Sequence, residues 1–208
     1  MSNIFDLFKK IEKHESASAP LEYIIVGLGN PGPRYERTRH NAGFRTIAEF
    51  YGRYGITGER SKFDSLCADG NIAGHRVLFL RPQTLMNASG RAVRAAVDFY
   101  KLPCDKIIVI SDDINLDVGR MRVRRSGSSG GQKGLGDIIE KLGTDAFARV
   151  RVGVGKKPTP EYDLADWVLS RFTDDEEKAL ANIWKRAADA VECIISEGVD
   201  AAMCKYNG

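Results

Sequence analysis

The sequence is poor in the residues that build metal centres and disulfide frameworks. Its 208 residues include 4 cysteines, 3 histidines and 2 tryptophans. Cys67, Cys104, Cys193 and Cys204 form no CxxC pair, and the nearest two stand eleven positions apart. This spacing excludes a zinc ribbon or thioredoxin-type motif and fits reduced thiols of a cytoplasmic protein. No stretch approaches the ~18 consecutive apolar residues of a membrane-spanning helix. The first residues lack an unbroken apolar run before a small-residue cleavage site, so no secretory signal is expected. Charge of one sign is also scarce: 31 Lys and Arg stand against 28 Asp and Glu, a net of +3. With 43% hydrophobic and 28% charged residues, the chain is neither disordered nor collagen-like. Its length suits one domain, which needs no metal or disulfide to hold a core.

The first twenty residues stand apart. Ile4, Phe5, Leu7, Phe8 and Ile11 fall at helical spacing among Lys9, Lys10 and Lys13, and a Glu-Ser-Ala-Ser-Ala-Pro join follows. Residues 1–20 are expected to be an amphipathic leader helix with a linker, and 21–208 a single domain. From there strand and helix patterns alternate. Strands are expected at 23–26, 106–110, 120–125 and 149–154, with a hairpin of 63–71 and 75–80 turning at Ala73-Gly74. Helices are expected at 41–54, 83–100, 134–142, 165–170 and 174–198. This order predicts an α/β fold: a three-layer sandwich around a mixed, mostly parallel sheet, with helices on both faces. The hairpin and the arginine-rich strand would supply its antiparallel part.

Four polar constellations lie at element ends. Gly27-Leu28-Gly29-Asn30-Pro31-Gly32 follows a strand and matches the GxGxxG dinucleotide fingerprint in letters. That fingerprint needs a helix to start at once, whereas Pro31 and Pro33 flanking Gly32 favour a turn. The loop either presents the Asn30 amide into a cleft or is a plain turn supported by that asparagine. His40 sits among polar residues at a helix start, while His14 and His75 have ordinary surroundings. Asn87 either caps a helix or points into a cleft. Asp112, just past a buried strand, can face a cleft at the end of the sheet. No histidine, cysteine or further acidic spacing completes a metal set there.

One histidine, one acid and two asparagines can hydrolyse an ester or amide without a nucleophilic side chain. Imidazole is the side chain suited to take a proton from water near neutral pH. A carboxylate on its other ring nitrogen fixes the tautomer, and an asparagine amide can donate to a developing oxyanion.

The combination Ile25-Val26-Gly27-Leu28-Gly29-Asn30-Pro31-Gly32, Tyr35, Thr38-Arg39-His40-Asn41-Ala42-Gly43 and Met86-Asn87-Ala88-Ser89-Gly90 resembles the bacterial peptidyl-tRNA hydrolase family. The resemblance continues through Asp112-Asp113, the 127–131 glycine-serine loop, Gly134-Leu135, residues 149–155 and Asp166-Trp167-Val168-Leu169-Ser170. It implies a monomeric cytoplasmic esterase without cofactor or metal, acting on peptidyl-tRNA and not on DNA or membranes. It further implies that His40 is the base, Asp112 its orienting acid and Asn87 the oxyanion donor. Asn30 would position the peptide, Tyr35 would contact the tRNA end, and Asn41 and Met86 would complete the substrate site. One departure stands out: where the family commonly reads His-Asn-Gly, this chain reads Gln132-Lys133-Gly134. Gln132 and Lys133 are therefore substrate-site candidates whose contacts differ from the family's.

The small net charge conceals an uneven distribution. Residues 120–157 hold ten Lys and Arg against three acids, and residues 158–208 hold five against eleven. A strand with period 2 sets Arg120, Arg122 and Arg124 on one face. Such a stripe suits phosphate contacts, and Arg122, Arg124 and Arg151 are the candidates for tRNA. The alternative, a solvated face paired with acidic helices, stays open. So does a second function, a catalytically silent RNA-binding relative on the same fold, such as a splicing accessory factor.

Overall fold

The computed structural model describes residues 19–207; the expected leader helix lies outside these residues. Seven strands form one mixed sheet: β1 (Tyr23–Gly27), β2 (Arg60–Lys62), β3 (Ser65–Ile72), β4 (His75–Pro82), β5 (Ile107–Asp113), β6 (Met121–Arg124) and β7 (Ala148–Gly153). Their order is β2-β3-β4-β1-β5-β7-β6. The central strands β4, β1, β5 and β7 run parallel, while β2, β3 and β6 pair antiparallel with their neighbours. The hairpin and the arginine-rich strand supply two of the antiparallel pairs, as expected, and β2 on β3 adds a third.

The helices are α1 (Ala42–Tyr54), α2 (Ser89–Tyr100), α3 (Lys133–Leu142), α4 (Leu164–Leu169), α5 (Asp174–Leu180), α6 (Ile183–Glu197) and α7 (Val199–Tyr206). Every residue of β1 and β5 is buried, which explains their unbroken apolar runs. Alternate residues face opposite layers. Ile25, Ile108 and Ile110 pack with α1 and α6 through Ile47, Phe50, Trp184 and Val191. Ile24, Val26 and Val109 pack with α2 and α3 through Val93, Val97, Leu135 and Ile138. The result is the expected three-layer α/β sandwich.

Several element bounds differ from expectation for physical reasons. The helix foreseen from residue 83 begins at Ser89, after a 3-10 turn at Met86–Ala88. Residues 83–86 are held elsewhere: Gln83 N donates to Asp64 O at 2.8 Å and Met86 N to the Asn30 side chain at 2.9 Å. The single helix foreseen at 174–198 is two, because Ala181 N donates to Lys178 O in a tight turn that breaks the α ladder. Strand β2 and helix α7 were not foreseen. Beyond α7, the Asn207 side chain bonds both Val123 N (2.7 Å) and Val123 O (3.1 Å), covering the open edge of β6. No helix begins after the Gly27–Gly32 stretch; turns lead instead to a 3-10 turn at Arg39–Asn41, so the dinucleotide reading fails there.

The first turn of α1 presses on the carboxyl ends of β1 and β5. A Cβ on Gly43 would lie 2.2 Å from Leu28 N and 2.5 Å from Ile110 O, and one on Gly27 would lie 2.6 Å from Gly43 O. Leu28 N donates to Ile110 O at 2.9 Å across the same junction. We predict that Gly43→Ala forces helix and sheet apart and destabilises the fold by about 1–3 kcal/mol or more, read from urea unfolding. An unchanged midpoint would contradict the contact.

Candidate active site

The parallel strands deliver four loops to one edge of the sheet, on either side of β1. There a cleft of about 470 Å³ opens, lined by residues that include Asn30, Tyr35, His40, Met86, Asn87, Asp112, Gln132, Lys133 and Arg151. Clefts at the carboxyl ends of parallel strands, where the strand order diverges, are the usual binding place in such sheets.

His40 occupies the 3-10 turn that precedes α1, and Asp112 lies in the last turn of pleat of β5. The imidazole Nδ1 is 2.9 Å from Asp112 Oδ2, and both residues are buried. An ionised carboxylate can only accept, so this geometry places the proton on Nδ1 and leaves the Nε2 lone pair free. His40 Nε2 has no hydrogen-bond partner among the described residues, and His40 lines the cleft. The second carboxylate oxygen, Oδ1, accepts from Gln132 Nε2 at 3.0 Å.

Asn30 and Asn41 form a reciprocal pair. Asn30 N donates to Asn41 Oδ1 at 2.8 Å, and Asn41 Nδ2 donates to Asn30 O at 3.0 Å. Asn30 Oδ1 in turn accepts from Met86 N, and the Asn30 NH2 group has no partner among the described residues. Asn41 does not line the cleft; it braces the loop that presents Asn30. Asn87 is exposed, lines the cleft and makes no side-chain hydrogen bond with a described residue. Tyr35 is half-buried, with the Arg34 guanidinium 4.4 Å from its ring centre.

The basic residues separate into two groups. Arg122 is exposed and Arg124 half-buried on the edge strand, outside the cleft lining. Arg151 lines the cleft and is paired with the buried Asp113 at 2.9 Å. Arg149, counted in the basic block, points inward. It is buried, donates to Gly127 O and to Asp145 O, and so anchors the base of the glycine-serine loop. Burial pushes its guanidinium pKa down.

Arg39 is a residue that sequence reasoning passed over. It is buried beside His40, with its guanidinium 3.7 Å from the Trp167 ring centre. It donates to Val154 O and, through two nitrogens, to both Glu176 oxygens at 2.9 and 2.7 Å. Arg39 N also donates to Ser170 O at 3.0 Å. The histidine turn is thereby fastened to the α4 wall of the cleft, where Leu164, Val168 and Leu169 face the opening. The signal in sequence was weak: Arg39 adjoins the candidate base, but its aromatic partners lie over 120 positions away.

With this geometry established, comparisons with known proteins agree on one family. A family model described as Peptidyl-tRNA hydrolase matches residues 24–208. Over 186 residues the chain is 48% identical to the peptidyl-tRNA hydrolase of Lachnospira eligens, covering 89% of this chain and 100% of that protein. It is 47% identical, at the same coverage, to that of Thermoanaerobacter sp. strain X514. The crystal structure of peptidyl-tRNA hydrolase from Acinetobacter baumannii matches with a TM-score of 0.84 at 33% identity, covering 92% of this chain and 98% of that one.

The Arg39–Glu176 fastening has a pH signature. Burial pushes the Glu176 carboxyl up, but the Arg39 hydrogen bonds and the Thr173 backbone outweigh it and hold the group below its ordinary value of 4.5. A lowered folded pKa contributes stability that is complete above the ordinary value and is lost as pH falls through the folded one. Wild type is therefore predicted to lose stability on acidification more steeply than Glu176→Gln, measured by urea midpoints from neutral to acid pH. Parallel slopes would contradict the pairing.

Proposed function

The chain belongs to the peptidyl-tRNA hydrolase family, and on that premise we propose how its residues divide the work. It hydrolyses the ester between a peptidyl group and the 3′ end of tRNA. In our reading His40 Nε2 takes a proton from a water molecule in the cleft. The resulting hydroxide attacks the ester carbonyl carbon. Asp112, accepting from Nδ1–H, holds the tautomer and stabilises the imidazolium that forms. The free Asn87 amide donates to the oxyanion, a contact whose loss typically costs about 2.7–4 kcal/mol. As the intermediate collapses, His40 returns its proton to the ribose oxygen that leaves with the tRNA.

The observation that carries this reading is the 2.9 Å His40–Asp112 contact with Nε2 left unpartnered at the cleft. Asn30, braced by Asn41 and Met86 N, offers its NH2 group to a carbonyl of the peptide. Tyr35, Met86, Gln132 and Lys133 complete the wall that meets substrate. Arg122, Arg124 and Arg151 would meet tRNA phosphates, the first two from the edge strand and the third from the cleft. Base, orienting acid and oxyanion donor all come from the chain, so the reading includes no cofactor. It also includes a monomeric, cytoplasmic enzyme. A catalytically silent RNA-binding relative finds no support: the similar proteins carry the hydrolase name.

Three outcomes are expected. With N-blocked aminoacyl-tRNA, chelator present and no cofactor added, wild type releases free tRNA. His40→Ala keeps its fold and loses about 100- to 10,000-fold in kcat; near wild-type turnover would sink the mechanism. Arg122→Glu combined with Arg124→Glu raises KM more than it lowers kcat and weakens the salt dependence of binding. An unchanged KM would remove the edge strand from the tRNA path.

A further inference from the structure

We propose that Gln132 is a positioning residue for the catalytic base, acting through Asp112, rather than chiefly a substrate contact. The proposal rests on the His40–Asp112 mechanism above. Gln132 is the N-cap residue of α3, and its side chain makes two directional bonds. Oε1 accepts from Leu135 N at 2.6 Å, and Nε2 donates to Asp112 Oδ1 at 3.0 Å, with Met86 Sδ also within 3.2 Å of that nitrogen.

These bonds determine each other. The Leu135 N–H requires an oxygen and the ionised Asp112 carboxylate requires a donor, so the amide has one orientation that satisfies both. The Asp112 side chain is 2% exposed, and Oδ1 has no other donor among the described residues. Without Gln132 a buried carboxylate oxygen would stand unpaired, which is costly. Glutamine is also not among the favoured N-cap residues, so capping alone is a weak reason for its presence. With Gln132 on one oxygen and His40 on the other, the carboxylate plane cannot turn away from the imidazole. The clamp is neutral, because a glutamine amide does not titrate. The other charged groups lining this cleft are Asp113, Lys133, Arg151 and Asp163. Of these, Asp113 and Arg151 are paired with each other.

Gln132→Glu is the isosteric test. It keeps the oxygen that caps α3 and replaces only the donor, setting two carboxyl groups against each other. We expect a folded variant with a lowered melting temperature above neutral pH, since the buried Asp112 oxygen loses its donor and faces a second carboxyl, and a KM that changes less than kcat. Above neutral pH, kcat should fall about 10- to 100-fold, the effect of losing a hydrogen bond to a charged group. The ratio of variant to wild-type kcat should then rise as pH falls, because the introduced carboxyl takes up a proton and can donate again. Gln132→His, with an N–H of similar reach, should restore kcat to within about threefold of wild type. An unchanged kcat in Gln132→Glu, or a loss that does not vary with pH, would overturn the proposal. Should that variant fail to fold, Gln132→Ser keeps a capping oxygen but cannot reach Asp112. A kcat loss there at steady KM supports the clamp, and wild-type kcat overturns it. His40→Ala measured alongside separates the two levels: its near wild-type turnover would overturn the base itself, whereas failure confined to the Gln132 variants would overturn only the clamp.

Discussion

The close approach of Gly43 to the backbone of Leu28 and Ile110 is the constraint on which the site depends. Any side chain there would meet main-chain atoms at little more than 2 Å, and a Cβ on Gly27 of β1 would lie 2.5 Å from the Ile47 side chain and 2.6 Å from Gly43 O. With both Cβ atoms missing, the start of α1 settles onto the ends of β1 and β5. The turn just before it, Arg39-His40-Asn41, is then carried across the carboxyl edge of the sheet. Its three side chains diverge: Asn41 to the Asn30 loop, His40 to Asp112 on β5, and Arg39 to Trp167 and Glu176. One tight packing contact thereby sets the relative positions of three walls of the cleft.

The polar groups around this junction share a common logic. Asp112, Asp113, Arg39 and Arg149 are all buried, and burial of a charge is costly unless it is paired. Asp112 has two donors, Asp113 has Arg151 and Arg39 has Glu176, while Arg149 has two backbone carbonyls and a buried Nε without a partner among the described residues. Groups held in this way do not need to reorganise as charge develops during reaction, which is the main electrostatic advantage of an enclosed site. The same pairing sorts the basic block. Arg149 serves the loop and Arg151 is partly neutralised by Asp113, so the cationic surface on offer to a phosphate is smaller than the charge count of residues 120–157 suggests.

Much of the fold was legible in the sequence because both faces of the central strands are buried. Ile24-Ile25-Val26 and Ile107-Ile108-Val109-Ile110 read as continuous apolar runs, and Ala73-Gly74 marked the hairpin, where both residues have positive φ. Element starts were less legible where a tertiary partner takes the backbone. Asn30, a residue far back in the chain, holds Met86 N and delays α2 to Ser89. His40, Asp112, Asn87 and Asn30 were discernible as polar residues at element ends. Their connections were not. The Asp112–Gln132 bond spans 20 positions and the His40–Asp112 contact 72, and no local pattern encodes either. Arg39 and Arg149 look like surface cations in sequence, since period and composition do not reveal an arginine stacked on an aromatic ring or turned into a loop.

The central claim is that Asp112 fixes the His40 proton on Nδ1 and leaves Nε2 as the base. Nitrogen-15 NMR of histidine-labelled protein tests it directly, with only three histidines to assign. In its neutral form, His40 should show a protonated Nδ1 and an unprotonated Nε2, and Asp112→Ala should abolish that preference. A His40 that carries its proton on Nε2 in the wild-type enzyme would contradict the account.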